Sequence, residues 1–472
     1  MKAWEYTHEM TKRAVPVLQT EEEKEWTKQK VSLGDIDIEE TRIRWKTQVP
    51  GSRAPDYVMI GAVQAAENMG YDVREAEEML PLMHRAYEEE NHVELLKLTA
   101  QLFHVLANAP KVKDHPYWSY RYYTSFEEHR EEVVFPVCEL PPYTGEEMFE
   151  KVHAGWQAQI AGAALGTIIE GYSSDQLKKA FGEIRDYLRT PSTYNDDVLF
   201  ELAFLEACLE KGRQVTSEDI GLEWVGRIEY TWTAEEAAFK NLKRGIFPPV
   251  SATLNNPWRE WIGAQMRGSV CGMVAPGNPL LAAQLAWTDG TVSHVNNGVL
   301  GEVFNAILVS LAYVEDDVRE LLDKTIHMMP PKSEYYSVVK FAWDACVRCG
   351  NWEDAWKSCE EKYKRYNWIH TYPNAAAEVV SLYFGGNDFD ECMYICAMCG
   401  QDVDCNAGQI GTVYGIMQGY AGIDVRWTKP FDDRFDSLMR GYEHTTVSHL
   451  AGQVLKAIEK IKEQDEEEGR EI

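Results

Sequence analysis

Hydrophobic and polar positions follow a helical period over most of this chain. Between residues 56 and 109, apolar positions recur at three- and four-residue steps: Val58, Ile60, Val63 and Ala66; then Met79, Leu82, Met83 and Tyr87; then Leu95, Leu98, Leu102 and Leu106. Such spacing predicts amphipathic helices. From 148 to about 460 nearly everything reads as helix, and strand-like alternation is scarce and short. The pattern lapses in a few places. Residues 1–50 are polar and mixed, which predicts an extended arm with short elements. HPYWSYRYYTSF (115–126) is an aromatic loop, read as a clasp that holds the N-terminal part on a larger body, with ligand stacking as the alternative. VCELPPYTGEE (137–147) has paired prolines and a turn glycine and marks a domain boundary. KRGIFPPVSATLNNPW (243–258) is too proline-rich for an element, and VCGMVAPGNPLLAAQLAW (270–287) is a glycine/proline loop feeding a helix. There is no clear repeat with a period of about 20–50 residues. The expected division is an arm and helical extension over 1–147, an all-helical domain over 148–460, and an acidic, frayed tail over 461–472.

Two helical segments carry small residues on one face. In AGWQAQIAGAALGTIIEG, Gly155, Gly162 and Gly166 punctuate the helix, with Ala158 completing the row. In NAGQIGTVYGIMQGYAG, Ala407, Gly411, Gly415 and Gly419 fall four apart. Residues at that spacing share a face. A glycine inside a helix costs about 0.5–1 kcal/mol relative to alanine, so each stripe predicts a close helix–helix contact that offsets the cost.

The second stripe follows an acidic pair, Asp402 and Asp404, which lies between Gly400, a helix C-cap candidate, and a helix expected to begin near Cys405. In an extended loop such a pair points one way. A second pair, Asp196 and Asp197, opens the helical run VLFELAFLEACLE. Carboxylates at helix starts suit the helix dipole and cap free amides. Both pairs therefore read either as caps or, if they converge, as ligands of a cation that relieves their repulsion. All-oxygen ligation favours Mg²⁺, Mn²⁺ or Ca²⁺. CVRC (346–349) and CAMC (396–399) raise zinc as a competing metal, but 46 residues separate them and both lie in apolar helical runs.

Composition narrows the partners. The 472 residues are 45% hydrophobic and carry a net charge of −29. Such a surface repels phosphate backbones and anionic lipid, so neither nucleic acid nor a membrane surface is an expected partner. No apolar run of about 18 residues predicts a membrane span. MKAWEYTHEM lacks the apolar stretch of a signal peptide. The ten cysteines, mostly inside helical patterns, suggest reduced thiols in a cytoplasmic protein.

Several blocks, in order, resemble the ADP-ribosylglycohydrolases, and especially a large bacterial branch of that family. GAALGTIIE (162–170) is similar to the family's first helix with its functional glutamate, here Glu170. NDD (195–197) resembles the Thr-Asp-Asp metal block. GMVAPG (272–277) followed by DGTVSHVNNGVLG (289–301) resembles the phosphate- and ribose-binding loops. DVDC (402–405) resembles the Asp-x-Asp-Thr metal block, with IHTYPNAAAEVVSLYFGGNDF (369–389) upstream of it. The likeness covers roughly 150–450. It implies an all-α, multi-helical orthogonal bundle with a central site, and hydrolysis of a ribosyl glycosidic bond with one or two Mg²⁺ or Mn²⁺ ions. The substrate implied is a small ribosyl or ADP-ribosyl molecule or a modified side chain. Asn195, Asp196, Asp197, Asp402, Asp404 and Cys405 would form the metal shell. Glu170, Asp196 and Asp404 would be catalytic. Glu170, Gly277, Asp289, His294, Asn297, His370 and Asn374 would contact substrate. The chain departs from the family pattern at Ala163, which replaces a common aspartate, and at Asn195, Val198 and Cys405, where threonine is usual. Those departures leave a non-catalytic nucleotide-binding or structural member of the same fold as the alternative.

Overall fold

The computed structural model describes residues 2–16, 36–467 and 469. Helix dominates, and the strands among the described residues form three short two-stranded pairings. The arm is not extended: it holds a helix at Ala3–Arg13 and another over 36–45. Residues 17–35 and the last part of the expected acidic tail, 468 and 470–472, lie outside the described residues. A hairpin follows, β1 (Thr47–Gln48) with β2 (Pro55–Asp56). Then come helices α1 (Val58–Asn68), α2 (Arg74–Glu88) and α3 (His92–Ala107). These bury Val58, Val63, Ala66, Met83, Leu95, Leu98 and Leu102, as the period predicted, in the same hydrophobic core as the rest of the chain, whereas Ile60 and Leu82 of the same pattern are exposed.

The aromatic loop ties the extension to the body. The Tyr117 hydroxyl donates to Glu260 (2.7 Å), the Tyr123 amide to Asn296 (2.9 Å), and the Arg121 amide to the Lys332 carbonyl (2.9 Å). Trp118 donates to the Gly70 carbonyl within the extension (3.0 Å).

The body is organised around two helices. Helix α4 (Gly145–Gly166) starts at a capping box in which Thr144 and Glu147 satisfy each other's amides (3.2 and 2.7 Å). Beyond it are α5 (Asp197–Lys211), α6 (Thr233–Leu242), α7 (Asn296–Leu311), α8 (Thr371–Gly385), α9 (Phe389–Cys399), α10 (Val403–Gln418) and α11 (Val447–Glu467). The glycine stripes of α4 and α10 face each other. A Cβ on Gly411 would lie 2.4 Å from the Ala158 carbonyl oxygen, and one on Gly415 would lie 2.3 Å from that of Ala154. From the other side, a Cβ on Gly162 would fall 2.1 Å from the Ala407 carbonyl oxygen, and one on Gly166 would fall 2.0 Å from the Asp404 amide nitrogen. Backbone therefore packs on backbone at these four glycines, with no room for a methyl group, whereas Gly155 meets the Ile416 side chain and Gly419 ends α10 with no atom near its absent Cβ.

Two further features place the second acidic block. Gly400 ends α9 with φ 71°, the left-handed position expected of a C-cap glycine. Gly400–Gln401 (β4) then pairs antiparallel with Tyr172–Ser173 (β3), and the Gly171 amide donates to the Gln401 carbonyl (2.8 Å). Helix α10 consequently begins at Val403, two residues earlier than the sequence suggested. Among the described residues no helix is long and apolar enough to cross a membrane.

The stripe packing predicts that Gly415→Leu costs at least about 1–3 kcal/mol, the usual overpacking range. Gly452→Ala is the contrasting variant: the glycine lies within α11 with no atom near its absent Cβ, and the change should stabilise by about 0.5–1 kcal/mol. Denaturant unfolding of both variants checks the pair.

Candidate functional site

The two acidic blocks meet although roughly 200 residues of chain separate them. Asp196 is the N-cap residue of α5 and Asp402 that of α10, yet neither side chain caps its helix. An acid that does not cap is free to face another ligand. Asn195 does the local work at α5. Its Oδ1 accepts from the Asp197 amide (2.9 Å), and its Nδ2 donates to Asp404 Oδ2 (3.1 Å), joining one block to the other. The Cys405 thiol donates to Asp197 Oδ1 (3.3 Å) and forms a second link. Asn374 on α8 accepts from the Asp402 amide (3.0 Å) and from Asn406 Nδ2 (2.8 Å), which fixes the entry into α10. Glu170 leaves the end of α4 just before β3, so the β3–β4 pairing and Gly166 bring it beside Asp404.

This concentration of acid is poorly neutralised by protein. Asp404 Oδ1 is buried and has no hydrogen-bond partner. Donor atoms of Asp402, Asp404 and Cys405 lie within 4.8 Å of one another, a grouping that suits a metal ion. Burial, then the charges of Asp404, Asp402, Asp196 and Asp197, hold the Glu170 carboxyl well above the ordinary carboxylate range. Burial and Asp404 raise Asp197 and Asp402 in the same way. Asp196 is exposed by area but sits deep in a cleft ringed by protein, and that depth, with Asp404 opposite, pushes it up to about 6. Burial and the neighbouring aspartates push the Cys405 thiol well up, so at neutral pH it is a hydrogen-bond donor rather than a thiolate. An oxygen-rich set with an orphaned carboxylate oxygen fits a hard divalent cation.

The site opens into a cavity of about 860 Å³. Glu170, Asn195, Asp196, Asp402, Asp404 and Cys405 line its floor. Residues from 36–56 of the extension reach over it, including Glu40 and Asp56. The far wall carries Tyr230, Trp232 and Glu235, which the sequence reading did not single out. A signal was present: EYTWTAEE places adjacent acids in the first turn of α6, the same signature as the two aspartate blocks.

The remaining expected substrate contacts lie outside the cavity lining. Gly277, with φ 64°, packs against Val314 and Leu140. Asp289 is buried in an ion pair with Arg267. His294 is fully buried, paired with Ser293 through Nδ1 (2.7 Å), and burial drives its imidazole well below the usual range. Asn297 joins Glu260 (3.2 Å) to the Tyr335 amide (3.1 Å). His370 caps α8, its Nδ1 accepting from the Tyr372 amide (3.1 Å), while Asn374 positions Asp402 as described. These residues resembled ligand-binding loops because they occupy buried, conformationally demanding positions, and His294 Nε2, 3.8 Å from Glu235, and Asp289 Oδ1 have no hydrogen-bond partner there. The CxxC cysteines are all free thiols, and among the described residues none belongs to a metal-competent group.

Fold and site thus define an all-α protein with a buried polycarboxylate centre under a large cavity. The family model for ADP-ribosylglycohydrolase matches residues 144–464, and the chain belongs to that family. An uncharacterized protein of Archaeoglobus fulgidus is 24% identical over 291 residues, covering 58% of this chain and 88% of the relative. A solved structure described as an ADP-ribosylglycohydrolase-related protein complex aligns with a TM-score of 0.44 at 16% identity, covering 67% of this chain and 99% of that one. Family membership supports a glycohydrolase-type function.

A buried acid between α5 and α10 yields a pH test. Glu201 accepts from Gln409 Nε2 (3.1 Å), its other oxygen has no partner, and burial pushes its carboxyl up to about 8. A carboxyl raised in the folded state binds its proton more tightly there than in the unfolded chain. Its stabilisation is complete below the unfolded value near 4.5 and is lost as pH rises towards about 8. Melting temperature should therefore fall between pH 5 and 8 in wild type. Glu201→Gln should flatten part of that fall, which differential scanning calorimetry reads directly.

Proposed function

We propose that the protein is a divalent-metal-dependent hydrolase of a ribosyl glycosidic bond, acting on an ADP-ribose adduct or a related nucleoside or nucleotide. The observation that carries this reading is the convergence of Glu170, Asp196, Asp402 and Asp404 at the cavity floor, with Asp197 buried beside them and Asp404 Oδ1 left without a partner. Family membership supplies the reaction type.

In this reading Asp196, Asp197, Asp402 and Asp404 hold Mg²⁺ or Mn²⁺. A bound divalent ion supplies a grip for the ribose diol and acidifies a water. Glycoside cleavage passes through an oxocarbenium-like state and needs a positioned water, a base and help for the leaving group. Glu170 stands beside Asp404 at the cavity floor. There it would take a proton from the attacking water as the bond between C1′ and the aglycone breaks. The hydroxyl adds to C1′ and the aglycone departs with the bonding pair; an aglycone that needs a proton takes it from solvent water, and Glu170 returns the proton it took to solvent. Asn195 and Asn374 position the aspartates through the hydrogen bonds already described and need not ligate anything. Cys405, kept protonated, orients Asp197 as a threonine hydroxyl would.

The test is metal-loaded protein against a panel of α- and β-ribosyl nucleosides, dinucleotides and ADP-ribosylated peptides. Free ribose or ADP-ribose should appear from at least one member. Asp404→Ala should reduce the rate by at least about 100-fold, more than is usual for loss of a group behind the ligands. It should also abolish the rise in melting temperature that Mg²⁺ or Mn²⁺ gives wild type by binding the native state. Cys405→Ser, which keeps a donor for Asp197, should retain both properties. A panel inert throughout, with a nucleotide still bound, would make this a non-catalytic member of the fold.

A further inference from the structure

The cavity above the site is acidic almost everywhere. Its roof contributes Glu40 and Asp56 and its walls contribute Glu229, Glu235 and Glu236, in addition to the carboxylates of the floor. Among the described residues its lining contains two lysines and no arginine. Lys240 is spent on Glu40 (2.5 Å) and Glu236 (3.1 Å). Lys243 lies 4.0 Å over the Phe239 ring. Two nearby arginines stand behind the walls, Arg44 paired with Glu40 and Glu236, and Arg267 with Asp289 and Glu235.

Backbone anion sites are also taken. Helix N-termini attract phosphate, and three of them border this cavity, but α5, α6 and α10 each carry acids in the cap or first turn. The block that resembled a phosphate loop, GMVAPG, does not reach it. A Cβ on Gly272 would lie 2.5 Å from the Ala306 carbonyl oxygen, so that glycine serves packing against α7. Two divalent cations would only balance the four floor carboxylates, Glu170, Asp196, Asp402 and Asp404, so no positive surplus remains for a diphosphate.

The wall facing the floor has a different character. The Tyr230 and Trp232 rings stack 6.1 Å apart at 17°. The indole of Trp232 donates to Asp56 Oδ2 (3.0 Å), which seats a buried carboxylate at the edge of the aromatic pair. Aromatic faces beside a carboxylate recognise flat cations.

We infer that the ribosyl donor carries no diphosphate and bears a flat, cationic or neutral nitrogen heterocycle, which lies against Tyr230 and Trp232 with Asp56 beside it. This rests on the ribosyl-hydrolase reading for the site but tests separately from it. With the metal-loaded full chain, N-ribosylnicotinamide should be hydrolysed with kcat/KM at least about 10-fold above that of its adenine dinucleotide diphosphate, equivalent to about 1.4 kcal/mol. Faster turnover of the dinucleotide or of an ADP-ribosylated peptide overturns the inference. Calorimetry with uncleavable carbocyclic analogues of both compounds isolates binding from chemistry. Tighter binding of the phosphate-free analogue supports the ligand class even if nothing is hydrolysed, and in that case the hydrolase reading alone falls. Tighter binding of the diphosphate, or no binding of either, defeats the inference. Asp56→Asn keeps an acceptor for Trp232. It should weaken the cationic analogue by about 5- to 10-fold and leave a neutral one unchanged, and equal effects on both remove Asp56 from the recognition.

Discussion

Everything functional here hangs on the contact between α4 and α10. Backbone meets backbone along it, with Gly162, Gly166, Gly411 and Gly415 each leaving no space for a methyl group. The contact does more than bury surface. At its upper end Gly166 touches the amide of Asp404, so the chain leaving α4 and the chain entering α10 pass at the closest distance two backbones allow. Glu170 and the Asp402–Asp404 block are therefore neighbours as a matter of helix packing. Glycine inside both helices costs propensity, and the protein accepts that cost where it sets the spacing of its carboxylates. The β3–β4 pairing, with Gly400 and Gln401 at φ 71° and 69°, locks the same spacing from outside the helices.

That spacing creates an electrostatic problem. Four acids line one cavity floor with Asp197 buried beside them, no arginine or lysine of the lining pairs with them among the described residues, and each carboxyl sits above its ordinary range because burial and its neighbours disfavour ionisation. Proteins usually dissipate such repulsion with basic side chains. Here the hydrogen bonds go instead to uncharged donors, the Asn195 amide and the Cys405 thiol. Neutral donors hold the geometry without cancelling the charge, which leaves the field available to a cation.

Much of this was legible in the sequence, for reasons that differ by feature. Four-residue glycine spacing has few explanations other than close packing, so the stripes announced a tight pair. They could not say that α4 and α10 pack on each other, because a stripe specifies a face and not its partner. The acid pairs at 196–197 and 402–404 were visible, but capping and ligation look alike in sequence. The absence of cap hydrogen bonds at Asp196 and Asp402 is visible only in the structure. His294, Asp289 and Asn297 lie outside the cavity lining, and polar residues beside glycines suit a binding loop and a buried network equally well. The arm misled in the opposite direction. A polar, mixed stretch gave no periodic signal over 36–45, yet that segment is helical and its packing over the cavity gives Glu40 and Asp56 a place in the wall.

The extension changes what kind of pocket the family fold presents. Asp56 is fixed to Trp232 of the body, and Arg44 bridges Glu40 of the arm to Glu236 on α6. These contacts make the roof an integral wall of the cavity rather than a separate module resting on it. Arg44 of the roof and Lys240 of α6 are balanced locally by Glu40 and Glu236, so the roof adds enclosure and negative potential together. Enclosure strengthens every electrostatic preference inside by excluding water. A site that concentrates acid at its floor and is then closed by more acid gathers its negative potential in one enclosed space.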